Sequence, residues 1–396
     1  MMFALDNIGQ AVMDRRWGRP PIEDLAVCEA RLTLSSGNPI PTSSVTAATS
    51  VYLATLGRGN LIKLYDTAFK QWAPRIVDTE KSVAIPSTLF RLFDIWAYWT
   101  GVAVALETTN WNQTTAALTA ATAAAPSVIT SAGHGLSNGD LVGLAGLNNT
   151  AGTDATNGLN GTVWPVANVA ANTFECAGSD TSALVASTTG TWYKIPNTRA
   201  TALVQQDGVY CKTGDLSRRY LGTGMTTGVS GQSEYQFGAI GTPGSCLLWN
   251  FYNQREIELR AAESGDSWTY TNTWRPLNLH GKLNRCGFVV GLDEQQIEAF
   301  ALANAQQTLD AVSVGAGLDL DGLAGNDCFL RAAPATDLLA PDAVLTPFAN
   351  LRAYPGIGFH FVGQTEKSVA SGTATWHGDA GDPDMFQSGM TLKVWC

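Results

Sequence analysis

Two hydrophobic periods run along the chain. Near the start, Ile8, Val12 and Met13 fall on one side of a helical wheel whose other sides carry Asp6, Gln10, Asp14 and Arg15, and the pattern stops at Arg19-Pro20-Pro21. It predicts a short amphipathic helix within 1–24, an arm for attachment to a neighbouring protein. From Cys28 onward the period falls to two, and short apolar runs alternate with turn residues at the spacing of an all-β module. Val51-Tyr52-Leu53 and Leu61-Ile62-Lys63-Leu64-Tyr65 flank Gly57-Arg58-Gly59-Asn60, whose glycines permit a reversal, so a hairpin is predicted there. Arg91–Tyr98 carries bulk on both faces and turns at Thr100-Gly101 towards Val102–Glu107, the mark of a central pair.

The pattern changes between Gln113 and Pro196, where Ala, Thr, Ser and Gly dominate and the charged residues reduce to Asp140, Asp154, Glu175, Asp180 and Lys194. Thr114–Ala125 mixes threonines with its alanines and is expected to be an extended linker. Beyond it, Val128-Ile129, Leu141-Val142, Thr162–Val166, Thr173–Cys176 and Thr191–Ile195 are strand-sized pieces between Gly and Asn turns, enough for a small β-barrel inserted at 113–196. The two-residue period resumes at 197. Strands are expected at Val209-Tyr210, Tyr220-Leu221, Leu247–Tyr252, Glu256–Arg260, Ser267–Tyr270, Phe288–Leu292, Val312–Leu318, Phe359–Val362, Thr373–Trp376 and Leu392–Trp395. Asp293–Gln306 fits a helix by propensity, but the alternation of Ile297, Ala299, Ala301 and Ala303 with Glu298, Phe300, Leu302 and Asn304 favours a strand. The predicted fold is all-β, with jelly-roll or β-sandwich domains over 25–112 and 197–396, the inserted small β-barrel, and the short N-terminal helical arm.

Composition narrows the roles open to such a fold. The chain has 396 residues, 45% hydrophobic and only 15% charged, with 40 glycines and 12 tryptophans, which suits strands and turns better than long helices. A formal charge of −10 supplies no basic field for a phosphate backbone, so nucleic acid is not an expected partner. No window is apolar enough to span a bilayer, and Met1–Arg19 lacks the apolar segment of a signal peptide, so membrane insertion is not expected either. Cys28, Cys176, Cys211, Cys246, Cys286, Cys328 and Cys396 stand singly without a CxxC pair; they are expected to be buried thiols of a chain assembled in a reducing cytoplasm.

Each candidate for chemistry has a plainer structural reading. His134 lies in a Gly-rich turn without a second ligand nearby, and His280, His360 and His377 are far apart in sequence. Gly228-Val229-Ser230-Gly231 lacks the form of a nucleophile elbow, and 222–228 lacks the spacing and context of a dinucleotide loop. Asp319, Asp321, Asn326 and Asp327 could place oxygens round calcium, but they lack the distal glutamate of an EF-hand and read as an Asp/Gly turn; Asp379, Asp382 and Asp384 read the same way. Glu256 and Glu258 sit at i, i+2, a separation glycoside hydrolases use, yet on a short alternating strand they read as its solvated face. Trp96, Tyr98, Trp99, Trp111, Trp249, Phe251, Tyr252, Trp268, Tyr270 and Trp274 could stack on sugars, but aromatic area of this kind is expected in cores and subunit contacts. No catalytic residue, metal or cofactor is expected.

Several stretches carry a resemblance. Arg31–Pro39 with Val51-Tyr52 and Leu64-Tyr65-Asp66, Phe93–Tyr98, Asn197–Ala202, Gly208-Val209-Tyr210, Arg218–Thr223, Trp249–Asn253, Trp268–Tyr270 and Tyr354–Gly358 resemble, in order and number, a family of tailed-bacteriophage virion structural proteins. In that family Trp111-Asn112 would run almost directly into Thr198-Arg199, which marks the stretch between as an insertion. The insert has its own resemblance: His134–Asp140, Leu159-Asn160-Gly161, Val166 and Asn172-Thr173-Phe174 resemble the small β-barrel repeat of phage structural proteins, itself similar to a half-domain of ubiquitin-activating enzymes. That likeness concerns the barrel and gives Cys176 no catalytic role. The first resemblance implies a non-enzymatic tail-fibre or tail-associated spike component, or a head-decoration or head-fibre protein. It also implies a homo-oligomer, as a trimer with jelly-roll heads, on the tail or capsid surface of the virion, with other virion proteins and a host surface glycan as partners. No heptad run for a trimeric stalk is present. A capsule-polysaccharide depolymerase and a carbohydrate-binding module are the alternatives of another class.

Overall fold

The structure is a computed structural model that describes residues 27–57, 60–154, 158–269, 272–308, 313–323, 328–332, 344–370, 372–379, 381 and 387–396. The expected N-terminal helical arm, 1–24, lies outside the described residues. The regular elements of the described residues are strands, apart from one short α-helix at Asn149–Thr153 and one 3-10 turn at Leu277–Leu279. No helix of the described residues is long and apolar enough to cross a membrane.

The strand Leu92–Trp99 organises the middle of the molecule. Leu92 to Ala97 are all buried, because this strand pairs on one side with Val104–Asn110 and on the other with Asp215–Met225. The expected central pair is therefore present. Thr100 closes its turn through hydrogen bonds with Ala103. Val209–Lys212 and Leu203–Gln206 extend this six-stranded sheet, and Leu248–Asn250 pairs with Asp215–Met225. Stretches before 113 and after 196 thus share one sheet, and one core collects Leu32, Trp96, Tyr220, Phe288 and Leu392 from both.

A second, eight-stranded sheet runs through Val45–Ala48, Ser233–Gln236, Gly244–Cys246, Arg285–Val290, Gly358–Ser368, Val314–Leu320 and Cys328–Ala332, with Arg275-Pro276 on a side branch. Against it lies a four-stranded sheet in the order Glu256–Ala262, Gly389–Trp395, Ile297–Leu302, Phe348–Ala353. Its strands alternate strictly. Leu259, Ala261, Ile297, Ala299, Ala301, Leu351, Leu392 and Val394 point into the shared core, and the residues between them point outward. Two sheets burying alternate residues against each other make the predicted β-sandwich. The 293–306 stretch resolves as expected into strands, Ile297–Leu302 and Asn304–Gln307.

Two local expectations need correction. Ser50–Thr55 and Leu61–Asp66 do not form a hairpin with each other. Both edges of Ser50–Thr55 are taken, by Ala30–Thr33 and by Lys81–Ala84. Leu61–Asp66 pairs instead with Gln71–Ile76, because the Asp66 carboxylate accepts the backbone N–H groups of Ala68 (3.0 Å) and Phe69 (3.2 Å) and turns the chain there. The stretch Thr114–Ala125 is not a linker. It contributes Thr115–Ala117 and Ala120-Ala121 to a seven-stranded sheet with Ser127–Thr130, Leu141–Ala145, Thr162–Ala167, Thr173–Cys176 and Thr191–Lys194. The two ends of this sheet are Thr115–Ala117 and Ala120-Ala121, and only Leu118-Thr119 separates them. Leu118 N–H donates to Gly190 on one side and Thr119 N–H to Thr130 on the other, so the sheet curls into a barrel. Propensity missed these strands because small side chains pack where the barrel turns sharply.

Many short sheets leave many strand edges and ends, whose carbonyls must find donors. Arginines supply them. Arg219, fully buried, donates to the carbonyls of Val27 (2.9 Å) and Lys63 (2.7 Å) and to the Tyr252 hydroxyl (3.0 Å). Arg31 donates to Asn253 O (3.2 Å), Pro39 O (2.7 Å) and Cys396 O (2.5 Å). Replacing Arg219 by Ala would remove its hydrogen bonds to the part-buried carbonyls of Val27 and Lys63 and to the Tyr252 hydroxyl, and bonds from a charged donor are worth about 1.5–3 kcal/mol each. We expect Arg219→Ala to lose at least ~3 kcal/mol in urea denaturation. The neighbouring Arg218→Ala, whose partly exposed side chain pairs with Glu107 and Asp215, should lose about 1 kcal/mol or less. Equal losses would contradict this assignment.

Candidate functional site

A cleft of ≈520 Å³ opens where the barrel meets the body of the molecule. Barrel residues Asp140 and Lys194 form one wall, and Asp293, Asp321 and His360 form the other. Four of these groups form two pairs. Lys194 Nζ lies 2.7 Å from Asp140 Oδ2, and His360 Nδ1 lies 2.7 Å from Asp321 Oδ2. The other oxygen of Asp321 accepts the N–H of Phe361 (3.0 Å), which fixes the turn in which Asp321 adopts a φ of 56°. Among the described residues no group of three His, Cys, Asp or Glu side chains is arranged to hold a metal ion. Asn326, Asp327, Asp382 and Asp384 lie outside the described residues.

The sequence candidates are dispersed across the molecule. His134 is buried, its Nε2 is 2.9 Å from Ala170 O, and its Nδ1 accepts the N–H of Leu136, so it braces the turn. Ser230 donates to Ser87 O (2.8 Å) on the surface. Glu256 and Glu258 stand on the outer face of the four-stranded sheet beside Lys393 and Arg260. Trp96, Trp111 and Trp249 are buried in the core; Tyr98 and Trp99 lie half-buried under the guanidinium groups of Arg218 and Arg75. Tyr270 lies outside the described residues. Cys28, Cys176, Cys211, Cys246, Cys286 and Cys396 are free and buried, and burial above all pushes the thiols of Cys211 and Cys286 up to about 12, against the opposing pull of Arg219 at the first and of a backbone hydrogen bond at the second.

Sequence reasoning missed the polar clusters that carry the strongest electrostatics. Asp94 is buried; Arg199 binds it at 3.0 Å, and Thr223 donates to it at 2.7 Å. Arg199 also donates to Gly291 O and lies over the Trp111 ring at 4.9 Å. Around Glu263, His280 Nδ1 approaches to 2.9 Å, Asn278 Nδ2 donates at 3.1 Å, and Asn284 donates to the other oxygen. Burial acts to raise the Glu263 carboxyl, but the hydrogen bond and charge of His280 and the two amide donors outweigh it and hold the pKa below the ordinary value. Glu366 accepts from Arg275 (2.7 Å) and Trp268 (2.8 Å), yet complete burial pushes it up to about 7. Alternating patterns give no signal for such groups, whose partners lie far away in sequence. What this arrangement does chemically is fasten strands.

The two carboxyls give opposite pH slopes. Glu263, depressed in the folded state, lends stability that is present above the ordinary carboxylate pKa and lost as pH falls through its own. Glu366 keeps its proton in the folded chain while the unfolded chain releases it, so its contribution falls as pH rises from about 4.5 to about 7. Urea midpoints followed against pH should therefore show a weaker acid-side loss for Glu263→Gln. For Glu366→Gln they should show a weaker decline between those two values. Parallel profiles for both variants and the parent would contradict the assignment.

No protein-family model matches the chain, and no curated protein matches it. Among solved structures it is similar to the insecticidal delta-endotoxin Cry8Ea1 from Bacillus thuringiensis at 8% identity and a TM-score of 0.21, over 93% of this chain and 52% of that one. It therefore spans about half the length of the toxin. It is also similar to the structure of infectious bursal disease virus Gx strain, with 12% identity and a TM-score of 0.21 over 89% of this chain and 76% of that one. The infectious bursal disease virus VP2 subviral particle matches with 10% identity and a TM-score of 0.20, over 79% and 73%. Likenesses at this level say nothing of fold or role.

Proposed function

We propose that this chain is a non-enzymatic structural protein of a tailed-bacteriophage virion, a tail-fibre or tail-associated spike component that acts by homo-oligomeric assembly and adsorption to the host surface. One observation carries the reading: stretches that resemble that family, though distant in sequence, meet as a single packed network. Asn250 accepts the N–H of Leu32 (2.7 Å) and donates back to its carbonyl (3.2 Å). Arg31 donates to Asn253 O (3.2 Å). Asp94, Arg199 and Thr223 bind one another, and Tyr220 stacks on Trp249. This supports a scaffold reading, as does the engagement of Asp94, Glu263, His280 and Glu366 in hydrogen bonds between separate stretches.

In this reading 113–196 is a module inserted in a surface loop. Its flanks are pinned together, since Arg199 lies over Trp111 and Arg91 donates to Trp111 O (2.6 Å). The barrel nevertheless rests on the body: Leu323 and Phe361 complete its core, and Arg285 reaches Val163 O (2.6 Å) between the rings of Trp164 and Phe361. Joining Asn112 to Asn197 should leave a folded β body with a lower thermal midpoint, because Leu323 and Phe361 become exposed; Phe361→Ser in that background should restore solubility. Failure of both shortened chains to fold would remove the separable insert.

Particles labelled with antibody against this chain test its place. Tail labelling, with a multimeric native mass for the purified chain, is expected. Head labelling would move the assignment to a head-decoration or head-fibre protein. A monomer that releases reducing ends from capsular polysaccharide, or binds it without cleavage, would replace the scaffold reading with a depolymerase or a carbohydrate-binding module.

A further inference from the structure

The outer face of the four-stranded sheet carries exposed aromatic rings among its charges. Phe300 (40% exposed), Phe348 (46%) and Trp395 (43%) stand on it, and the rings of the first two stack with centroids 6.1 Å apart. Three carboxylates (Glu256, Glu258, Glu298) and three cations (Arg260, Arg352, Lys393) point outward, so the face is neutral on a chain of net charge −10. Neutral, partly aromatic area is the kind that two acidic molecules can bring together without mutual repulsion.

Its pattern selects the occupant. Strand register puts Arg352 opposite Glu298, Glu298 opposite Lys393, and Lys393 opposite Glu258, giving one row across the sheet with signs + − + −. A row of even length with alternating signs is complementary to its own reverse. Rotation about a two-fold axis along the strands, between the two inner ones, lays Arg352 of one copy over Glu258 of the other and Glu298 over Lys393. The row of Ala262, Gly389, Leu302 and Phe348 obeys the same operation: Phe348 falls over Ala262 and Leu302 over Gly389, large over small. An isologous contact requires this reciprocity.

Resting on the assembly reading above, we propose that this sheet face binds a second copy of the chain, two-fold related and sheet against sheet. The contact pairs single chains, or pairs trimers formed elsewhere on the surface. Glu298→Lys sets an introduced ammonium group against Lys393 across the axis, and Lys393→Glu sets an introduced carboxylate against Glu298. Each variant alone should halve the native mass found by sedimentation, weakening pairing at least tenfold. An equimolar mixture restores both opposite-charge pairs and should recover the wild-type mass. Circular dichroism establishes that each variant is folded. Wild-type mass in either single variant, or no recovery on mixing, overturns this contact while leaving assembly through another surface intact. A wild-type chain that is monomeric at all concentrations overturns both.

Discussion

Everything else in the architecture depends on arginine side chains that carry hydrogen bonds from one strand end to another. A chain poor in helices, cut into short sheets, leaves backbone carbonyls where pairing stops, and burying them unpaired costs free energy at each one. A guanidinium group has five donors in a fixed fork and can serve several carbonyls at once. Arg31 and Arg219 each join three separate stretches, and Arg285 ties the body to the barrel at Val163. Burial opposes the charge and pulls Arg285 down to about 9, so the position is occupied by a costly group that its contacts must offset.

For the function proposed above, the consequence of this construction is rigidity: an adsorption or decoration protein would transmit position rather than turnover, and its surfaces would have to keep their register under load. Buried polar links whose partners lie more than 150 residues apart, such as Arg219 to Lys63, make opening one sheet expensive for its neighbours. The barrel is held by the same means: Phe361 lies in a body strand, yet it belongs to the barrel's core.

Much of the sandwich was legible in the sequence because one face of each strand is wet and the other dry. Ile297, Ala299 and Ala301 against Glu298 and Phe300 revealed a strand that propensity would have made a helix. Pairing was less legible. The glycines at 57 and 59 suggested the reversal that Asp66 performs, because a side chain capping a turn is as effective as a flexible backbone and leaves a weaker pattern. The polar clusters were not legible at all. Arg218 and Arg219 are adjacent and chemically identical, yet one lies half-buried beside Glu107 and the other is sealed in the core, a difference set by strand direction and distant carbonyls. Glu256 and Glu258 were legible as a solvated face, but their place in a charge row required the register.

Differential scanning calorimetry tests most directly whether these links bind the sheets into one body. The account predicts a single transition in which barrel and body melt together, with calorimetric and van't Hoff enthalpies in agreement. A separate, earlier transition for the barrel, or a broad unfolding in which the van't Hoff enthalpy falls well short, would contradict it.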